Sequence, residues 1–279
     1  MNPTIIIPTY TNTVGLLKLL GQLADYDGQV IVVDNKPSYE KKHAVRNGLK
    51  NGVYLPQKEN VGFAKGVNVG AGQVMSGPPG GEVNEWLVIV NDDVVLPVGY
   101  GSIFPALVTA AVAKGWVAVS PVLKKPDGSV EDYGYKVLPI GRVEVNHIDP
   151  GSESGMTQRQ LDSSHLDGLT AACLVIKKDV FEKVGGFDES FFAYLEDVDL
   201  FLRLKKQGYS FGIDPTISVI HEHQTTSKQM GSFKARHDLV NWVRIIIKDW
   251  GWKKIMTNLP GIIIERGRNV SGLMKKMMS

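Results

Sequence analysis

Two groups of carboxylates carry the side chains in this chain best suited to chemistry, and they lie more than a hundred residues apart. The first follows the apolar run 86–90 as Asp92 and Asp93, and the second consists of Glu196 and Asp197. Carboxylates beside apolar runs are costly to bury unless a cation or hydrogen bonds hold them, so both groups are expected to line a site. Together they predict a metal-binding position and a general base.

Short apolar runs place the first group at the end of a strand. These runs alternate with stretches of helical period, which is typical of βα units and a mostly parallel central sheet flanked by helices. Strands are predicted over 4–7, where Pro8 is expected to end the strand, over 30–33 and over 86–90. Further predicted elements are a helix over 14–23 and strands over 117–119, 172–176 and 217–220. Because ligands of open α/β sheets bind beyond the carboxyl ends of strands, Asp34 and the first carboxylate group point to one crevice.

Length and composition indicate a globular protein. A chain of 279 residues with 43% hydrophobic and 22% charged residues is typical of one compact domain with a tail. The amino terminus lacks the pattern of a secretory signal, and no apolar run approaches the ~20 residues of a membrane-spanning helix. We therefore expect a cytoplasmic protein, with peripheral attachment to the inner face of the membrane as the alternative. The single cysteine, Cys173, is expected to be buried and inert.

Residues 228–279 differ in charge from the rest of the chain. They hold eleven Lys or Arg and three Asp or Glu residues, a net charge of +8, whereas the preceding residues carry −6. A basic tail with tryptophans suggests contact with an anionic lipid surface. A solvated helical face explains the charge equally well, and packing onto the catalytic body or onto a second subunit explains the same pattern. A helix is expected before 259–261, where Leu-Pro-Gly should break the tail.

Two segments are predicted to be irregular. Gly and Pro at 77–81 indicate a surface loop. Residues 133–165 lack clear periodicity and are interpreted either as a mobile loop that closes over substrate or as a plain connector.

Six motifs in order resemble those of family 2 inverting glycosyltransferases with the GT-A fold, in particular the rhamnosyltransferase-like members. The resemblance covers roughly residues 3 to 227, and the segment 184–200 is its most specific part. The motifs are Ile5–Tyr10, Val32–Asn35, Asn60–Gly70, Asn91–Asp93, Val184–Asp199 and His221. The resemblance implies a GT-A fold with a catalytic domain over 1–227 and a basic helical carboxy-terminal extension over 228–279. Within the catalytic domain, about 1–100 would bind the nucleotide sugar and about 101–227 the acceptor.

The resemblance also implies a divalent cation. In the family the last acid of the motif at 91–93 binds the metal, which corresponds to Asp93, and Asp92 would lie near the ribose or the water shell of the metal. His221 would complete the metal shell, with His223 as the alternative. Carboxylate and imidazole ligands suit Mn²⁺ or Mg²⁺.

Other positions are assigned to the substrates by the same resemblance. Asp34 would accept a hydrogen bond from the pyrimidine ring. Asp197 would be the catalytic base, with Glu196 either orienting it or contacting the acceptor, while Asp199 could cap its helix or pair with Arg203. The donor site would be bordered by Pro8, Thr9, Tyr10, Asn60, Gly62, Lys65 and Asn68. The acceptor side would be lined by Gly168, Phe192 and Tyr194.

The sequence thus predicts a metal-dependent inverting enzyme. It would move a hexose or deoxyhexose, with rhamnose as one candidate, from a UDP- or dTDP-sugar to a hydroxyl of a glycan or lipid-linked acceptor. A homo-oligomer is compatible with this interpretation, and no nucleic-acid partner is expected. The alternatives are a noncatalytic module that binds nucleotide sugars and a metal-dependent nucleotidyltransferase or phosphohydrolase, which would direct attack at phosphorus.

Overall fold

The amino-terminal half forms alternating strands and helices, as the sequence predicts. The computed structural model describes residues 2–74, 85–97, 102–145, 162–222 and 231–278. The predicted loop at 77–81 and His223 lie outside these residues. The first elements are β1 (Thr4–Thr9), α1 (Thr13–Gln22), β2 (Val30–Asp34), α2 (Tyr39–Gly48), β3 (Gly52–Pro56), α3 (Gly62–Ala71), β4 (Trp86–Val90) and β5 (Val94–Val95).

The second half contributes the remaining strands and the long helices. These elements are α4 (Ile103–Lys114), β6 (Ala118–Lys124), β7 (Val130–Asp132), β8 (Tyr135–Leu138), β9 (Arg142–Val145), β10 (Cys173–Lys177), α5 (Lys178–Lys183), a 3-10 turn (Glu189–Phe191), α6 (Glu196–Lys206), β11 (Phe211–His221), α7 (Gly231–Asp249) and α8 (Trp252–Met278).

One mixed sheet of nine strands organises the described residues. Its order is β3-β2-β1-β4-β10-β6-β11-β5, and β7 pairs with β6. Strands β1 to β4 are parallel, whereas β10 runs antiparallel to both β4 and β6. The parallel arrangement is therefore confined to the β1–β4 part and to the β6–β11 pair. The insertion of β10 brings the segment before it to the carboxyl edge of β4.

Strands β1, β2 and β4 are buried on both faces, because their β-branched runs alternate between two apolar layers. Ile5 and Ile7 of β1 belong to the cluster that packs against α1, and Ile6 belongs to the cluster that packs against α3. Pro8 does not end β1, which corrects the sequence prediction. It pairs with Val33 in parallel register, and the strand continues to Thr9. A proline fits near the end of a strand, since its fixed φ is compatible with an extended chain.

Residues 135–145 form a hairpin, so the prediction of an irregular segment is wrong there. Tyr135 pairs with Val145, and Leu138 with Arg142, across a tight turn. Val137, Val143 and Val145 pack against the core formed with α7. The alternation of apolar and charged residues on both sides of the turn was a readable signal for strands.

Helices α7 and α8 form the carboxy-terminal extension. Helix α8 continues through Pro260, so the expected break at 259–261 is wrong. A proline inside a helix removes one backbone hydrogen bond and costs ~3 kcal/mol, yet this helix of 27 residues continues on both sides of it. Ile262 of α8 is buried against Ile246 and Trp250 of α7, and this contact holds the two helices together.

Candidate active site

A cavity of about 680 Å³ lies at the carboxyl edge of β1 and β4. It is bounded on one side by the sheet and on the other by α7, α8 and the β8–β9 turn. Most of the predicted site residues line it: Pro8, Thr9, Tyr10, Asn60, Gly62, Asp92, Asp93, Phe192, Tyr194, Glu196, Asp197 and His221. The two carboxylate groups therefore face one shared space, although they are far apart in the chain.

Four predicted residues are not among those that line the cavity, and each has another role in the described structure. Lys65 is exposed, with its Nζ 3.7 Å from Glu189 Oε2. Asn68 binds the backbone of Phe187 through both a donated and an accepted hydrogen bond. Gly168 allows close passage of the Tyr135 hydroxyl, where a Cβ would collide.

The fourth predicted residue that does not line the cavity is Asp34. It is fully buried, and its carboxylate accepts hydrogen bonds from Lys41 Nζ at 2.7 Å, Tyr54 Oη at 2.6 Å and Lys36 N at 3.0 Å. Lys41 Nζ also donates to the carbonyl oxygen of Tyr10 at 2.9 Å. In this structure Asp34 therefore fixes Lys41, which in turn holds the loop after β1. Its contact with a pyrimidine ring stays a prediction.

Asp92 is held at the start of α1. Asn12 caps this helix by accepting from Gly15 N at 3.0 Å, and its amide nitrogen donates to Asp92 Oδ1 at 3.3 Å and to Asp92 O at 3.1 Å. Burial raises the pKa of Asp92 to about 6, although the hydrogen bond from Asn12 opposes part of this rise.

Strand pairing brings Asp93 to His221. In the antiparallel pair of β5 and β11, Val94 lies opposite His221. The backbone oxygen of Asp93 accepts from Glu222 N at 2.9 Å, and His221 Nε2 lies 3.1 Å from Asp93 Oδ1. His221 Nδ1 lies 3.1 Å from Glu131 Oε1. Burial lowers the pKa of His221, but the two carboxylates outweigh it and raise this pKa to about 10.

The pair of Asp93 and His221 fits a divalent cation by its chemistry. Asp93 Oδ1 is buried, and His221 Nε2 lies 3.1 Å from it. Since Glu131 occupies His221 Nδ1, His221 Nε2 is the ring nitrogen that faces this oxygen, an arrangement common to histidine ligands. Within the described part of the chain, no three such side chains converge on one point. A cation there would take its other ligands from substrate and water.

Glu196 and Asp197 begin α6, and burial dominates the pKa of both. Asp197 accepts hydrogen bonds from Val198 N at 2.8 Å and Ala171 N at 3.3 Å. Burial raises the pKa of Asp197, and these backbone donors oppose the rise. The pKa of Glu196 is raised well above its usual range, first by burial and then by the charge of Asp197. The backbone donors thus make Asp197 the easier of the two to ionise.

The backbone before Asp197 is strained. Phe192, Tyr194 and Leu195 have φ angles of 60°, 68° and 67°, a region that non-glycine residues rarely occupy. Phe192 O accepts from Phe63 N at 2.7 Å, and a Cβ at Gly62 would collide with this oxygen. Only glycine therefore allows α3 to start this close to residues 192–195, which we name the strained segment.

Asn241 of α7 holds the strained segment from the other side. This fully buried side chain donates from Nδ2 towards Phe191 O at 3.1 Å, Ala193 O at 3.0 Å and Tyr194 O at 2.7 Å. Sequence reasoning missed Asn241, because its neighbours one helical turn away include His237, Asp238 and Arg244 and give no signal of burial.

Lys248 and Arg203 secure the start of α6 through Asp199. Arg203 Nη2 lies 2.7 Å from Asp199 Oδ2, as the sequence suggested, and Lys248 Nζ of α7 lies 2.6 Å from Asp199 Oδ1. Asp199 is therefore a structural residue in a buried ion-pair network.

Glu131 and Asp132 are acidic residues beside the site that sequence reasoning also missed: Glu131 contacts His221, and the charge of Asp197 acts on Asp132. Burial, followed by the charges of Asp197 and Glu131, raises the pKa of Asp132 to about 7, although a hydrogen bond from Gly134 N opposes this rise. Two adjacent acids between Val130 and Tyr133 were a weak signal, since such pairs are usually solvated.

Proteins of known activity and structure resemble this chain over most of its length. No family profile matches it. An N-acetylglucosaminyl-diphospho-decaprenol L-rhamnosyltransferase of Mycobacterium tuberculosis is 28% identical over 89% of this chain and 85% of its own length. Rhamnosyltransferase WbbL of Escherichia coli K12 is 21% identical over 91% of this chain and 94% of its own length.

Solved structures share the fold. The crystal structure of GalNAc-T7 with UDP, GalNAc and Mn²⁺ superposes with a TM-score of 0.61 at 13% identity, covering 91% of this chain and 49% of that one. This chain thus spans about half the length of that structure. Residues 1–349 of Staphylococcus aureus TarS give a TM-score of 0.56 at 16% identity, covering 94% of this chain and 71% of that one. This chain is a glycosyltransferase with the GT-A fold.

The resemblance of this glycosyltransferase to rhamnosyltransferase-like enzymes of family 2 is confirmed. Within the described ranges, no helix of the glycosyltransferase has both the length and the apolar character needed to cross a bilayer. Cys173 is buried, as expected, and burial raises its pKa to about 12.

Replacing Asn241 by leucine should loosen the strained segment. Asn241→Leu leaves buried carbonyl oxygens without donors, so the free energy of unfolding should fall by about 1–3 kcal/mol and the melting temperature by several degrees. The rate of sugar transfer should fall as well, because the same contacts position Asp197. Thermal denaturation and initial-rate assays measure both effects.

Asn258→Leu on α8 is the matched control, since within the described residues the Asn258 side chain donates to Lys254 O of its own helix. Asn258→Leu should change neither the melting temperature nor the rate of sugar transfer appreciably. A melting temperature and a rate for Asn241→Leu that both equal those of the control would show that Asn241 does not hold the segment.

Proposed function

We propose that this glycosyltransferase is a metal-dependent inverting enzyme. It moves a hexose or deoxyhexose, with rhamnose as the first candidate, from a UDP- or dTDP-sugar to a hydroxyl of a lipid-linked or glycan acceptor. The observation that carries the proposal is that Asp93 with His221, and Asp197, line one cavity. The names of its relatives, which include L-rhamnosyltransferases, support the choice of sugar.

Asp93 and His221 would hold the cation in this proposal. A bound Mn²⁺ or Mg²⁺ would act there as a Lewis acid and stabilise the charge of the departing nucleoside diphosphate. Glu131 would keep the His221 ring in orientation through Nδ1. GalNAc-T7, which shares the fold, was crystallised with UDP and Mn²⁺, and this supports the assignment.

The donor would lie along the edge of β1 and β4. Pro8, Thr9 and Tyr10 form one wall of the cavity there, and Asn60 and Gly62 form the next. The amide of Asn12 fixes Asp92 at this edge, where its carboxylate could accept from the ribose. Lys65 and Asn68 do not line the cavity, so they would affect donor binding indirectly, by fixing the position of α3.

Asp197 would take the proton of the acceptor hydroxyl. Inversion in one displacement needs a base on the face of the sugar opposite the leaving group. Asp197 lines the cavity as a half-buried side chain and is stabilised by backbone donors, so its charged form can persist while Glu196 retains a proton. Three aromatic rings would flank the acceptor, those of Phe192, Tyr194 and Phe233. The centroid of the Phe233 ring lies 6.1 Å from that of Phe192 and 6.4 Å from that of Tyr194.

Helix α8 would bring the enzyme to the surface of an anionic membrane. Apolar residues on its outer side recur at spacings of three, four and seven, which places them on one face. Their exposed fractions range from 36% to 72%, and they are Trp252, Met256, Leu259, Ile263, Val270, Met274 and Met277. We name these residues the apolar stripe. Exposed basic residues at 253, 254, 268, 275 and 276 accompany the stripe, as in helices that lie in the headgroup region of anionic membranes.

Asp197→Asn should reduce turnover by ~10²-fold or more, because the amide cannot accept the proton. Binding of UDP, measured by calorimetry, should stay within about twofold of the wild type. Asp25→Asn serves as the control, since Asp25 is 93% exposed, and it should alter neither value. Near-normal turnover by Asp197→Asn would remove the role of base.

Product analysis of the wild type separates transfer from the alternatives. Release of intact nucleoside diphosphate together with a glycosylated acceptor is expected for attack at the sugar carbon. Nucleoside monophosphate or pyrophosphate as the product would instead indicate attack at phosphorus and would refute the proposed reaction.

Asp93→Asn and Glu131→Gln should both weaken Mn²⁺ binding. The first removes a charged ligand, and the second removes the partner that orients His221, so losses of about 10- to 100-fold are expected. Electron paramagnetic resonance of free Mn²⁺ in the presence of UDP measures the affinity without turnover. Full activity in chelator, together with unchanged Mn²⁺ affinity of both variants, would contradict the metal site.

The membrane contact has a matched pair of variants. Ile263 and Val112 are both 62% exposed, but only Ile263 lies on the apolar stripe. Ile263→Glu should reduce cosedimentation of the full chain with vesicles of phosphatidylglycerol and phosphatidylcholine, whereas Val112→Glu should not. Equal sedimentation of both variants and the wild type would exclude the stripe as the contact.

A further inference from the structure

The wall of the cavity that lies opposite the sheet contains polar side chains from α8. Glu265, Arg266 and Asn269 line the cavity together with Trp242 of α7 and the β8–β9 turn. They lie on the same face of α8 as the buried Ile262, since positions 262, 265, 266 and 269 are spaced by one helical turn. None of these polar residues belongs to the motifs that identify the GT-A core.

These side chains carry buried polar atoms that lack hydrogen-bond partners among the described residues. The atoms are Glu265 Oε2, Arg266 Nε, Arg266 Nη1 and Asn269 Oδ1. Glu265 is only 6% exposed, and its Oε2 forms a long ion pair with Arg268 Nη1 at 3.5 Å, on a side chain that is 69% exposed. A buried polar atom without a partner is unfavourable, and more so when the group is charged. Several such atoms on one cavity wall indicate that a ligand satisfies them.

The orientation of Arg266 is fixed by the protein. Its Nη2 donates to Gly141 O in the β8–β9 turn, and its guanidinium lies 5.4 Å from the centroid of the Trp242 ring. These two contacts leave Nε and Nη1 as the unused donors. The guanidinium is therefore anchored at one end and stacked on one face, while its remaining donors are available for a ligand.

The unused atoms include both donors and acceptors, which restricts the chemistry of the ligand. An anion would accept from Arg266 but would face the carboxylate of Glu265. A cation would be attracted by Glu265 but would face Arg266. Hydroxyl groups both donate and accept, so a ring with several hydroxyls can satisfy Glu265, Arg266 and Asn269 together.

We infer that Glu265, Arg266 and Asn269 form a subsite for a sugar ring of the acceptor. This inference rests on the proposed function, since it requires that the cavity transfers sugar to a glycosylated acceptor. The extension then contributes specificity-determining residues to the same cavity that contains Asp197. A pocket that hydrogen-bonds hydroxyls rejects a ligand that lacks them, because its buried polar groups are left unpaired.

The test uses the full chain and a soluble probe, a short-chain N-acetylglucosaminyl diphospholipid, which is the acceptor class in the name of one relative. Glu265→Ala and Asn269→Ala should each raise KM for this probe by about 10-fold or more, as expected for lost hydrogen bonds to a buried ligand. KM for the donor and the slow release of nucleoside diphosphate to water should stay unchanged. Arg266→Lys, which keeps the charge but loses the planar fork, should also raise KM for the probe.

Asn258→Ala is the matched control on the same helix and should leave KM for the probe unchanged. If Glu265→Ala lowers the melting temperature strongly, the comparison of Asn269→Ala with Asn258→Ala decides the question. An unchanged KM for the probe in Asn269→Ala and Arg266→Lys, or an equal rise in KM for the donor, overturns the subsite while leaving the proposed function intact. If the wild type releases no nucleoside diphosphate in the presence of donor and probe, both the subsite and the proposed function are overturned.

Discussion

The strained segment at 192–195 is the constraint on which the rest of the site depends. Positive φ angles at three non-glycine residues are unfavourable by about 1–3 kcal/mol each, and they persist only where surrounding contacts outweigh that strain. Here the contacts come from opposite directions: the amides that start α3 bind Phe192 O, and Asn241 binds the carbonyls around it. The start of α6, and with it the Asp197 carboxylate, is thereby fixed relative to the sheet.

This constraint also explains why α7 packs so closely on the GT-A core. Its Asn241 supports the strained segment, and its Lys248 neutralises the buried Asp199. A division of the chain at residue 227 separates the sequence motifs from the tail, but the contacts of α7 cross that division. Helix α7 is therefore a structural part of the site. Its contacts are those expected if the tail packs onto the catalytic body, one of the alternatives that the sequence left open.

The sequence predicts those parts of the structure that depend on local pattern. The apolar run at 86–90 defines β4 at its observed ends, because a strand buried on both faces needs continuous apolar residues. The ordered motifs predict the meeting of Asp93 with His221, which local pattern alone could not, since it depends on the pairing of β5 with β11. Glu131 escaped prediction for the same reason: its role appears only when β7 lies beside β6.

Other sequence predictions were wrong where one residue type is compatible with two opposite structural outcomes. Pro8 and Pro260 both resemble residues that end an element, yet each lies inside one, in β1 and in α8. On α8, charged and amide side chains resemble an ordinary solvated face, and only the fold reveals that Glu265 is buried. Burial of an ionisable group is a property of the assembled molecule, so single-residue preferences carry little information about it.

Helix α8 has two neighbouring faces, the apolar stripe and the face that lines the cavity. Ile263 follows Ile262 by one residue, a rotation of about 100°, so the apolar stripe is adjacent to the face that lines the cavity. With the stripe resting on lipid, the cavity would open just above the headgroups, and an acceptor could present its sugar while its hydrocarbon chain stayed within the leaflet. Encounter would then be a two-dimensional search, governed by the density of acceptor in the bilayer and by lateral diffusion.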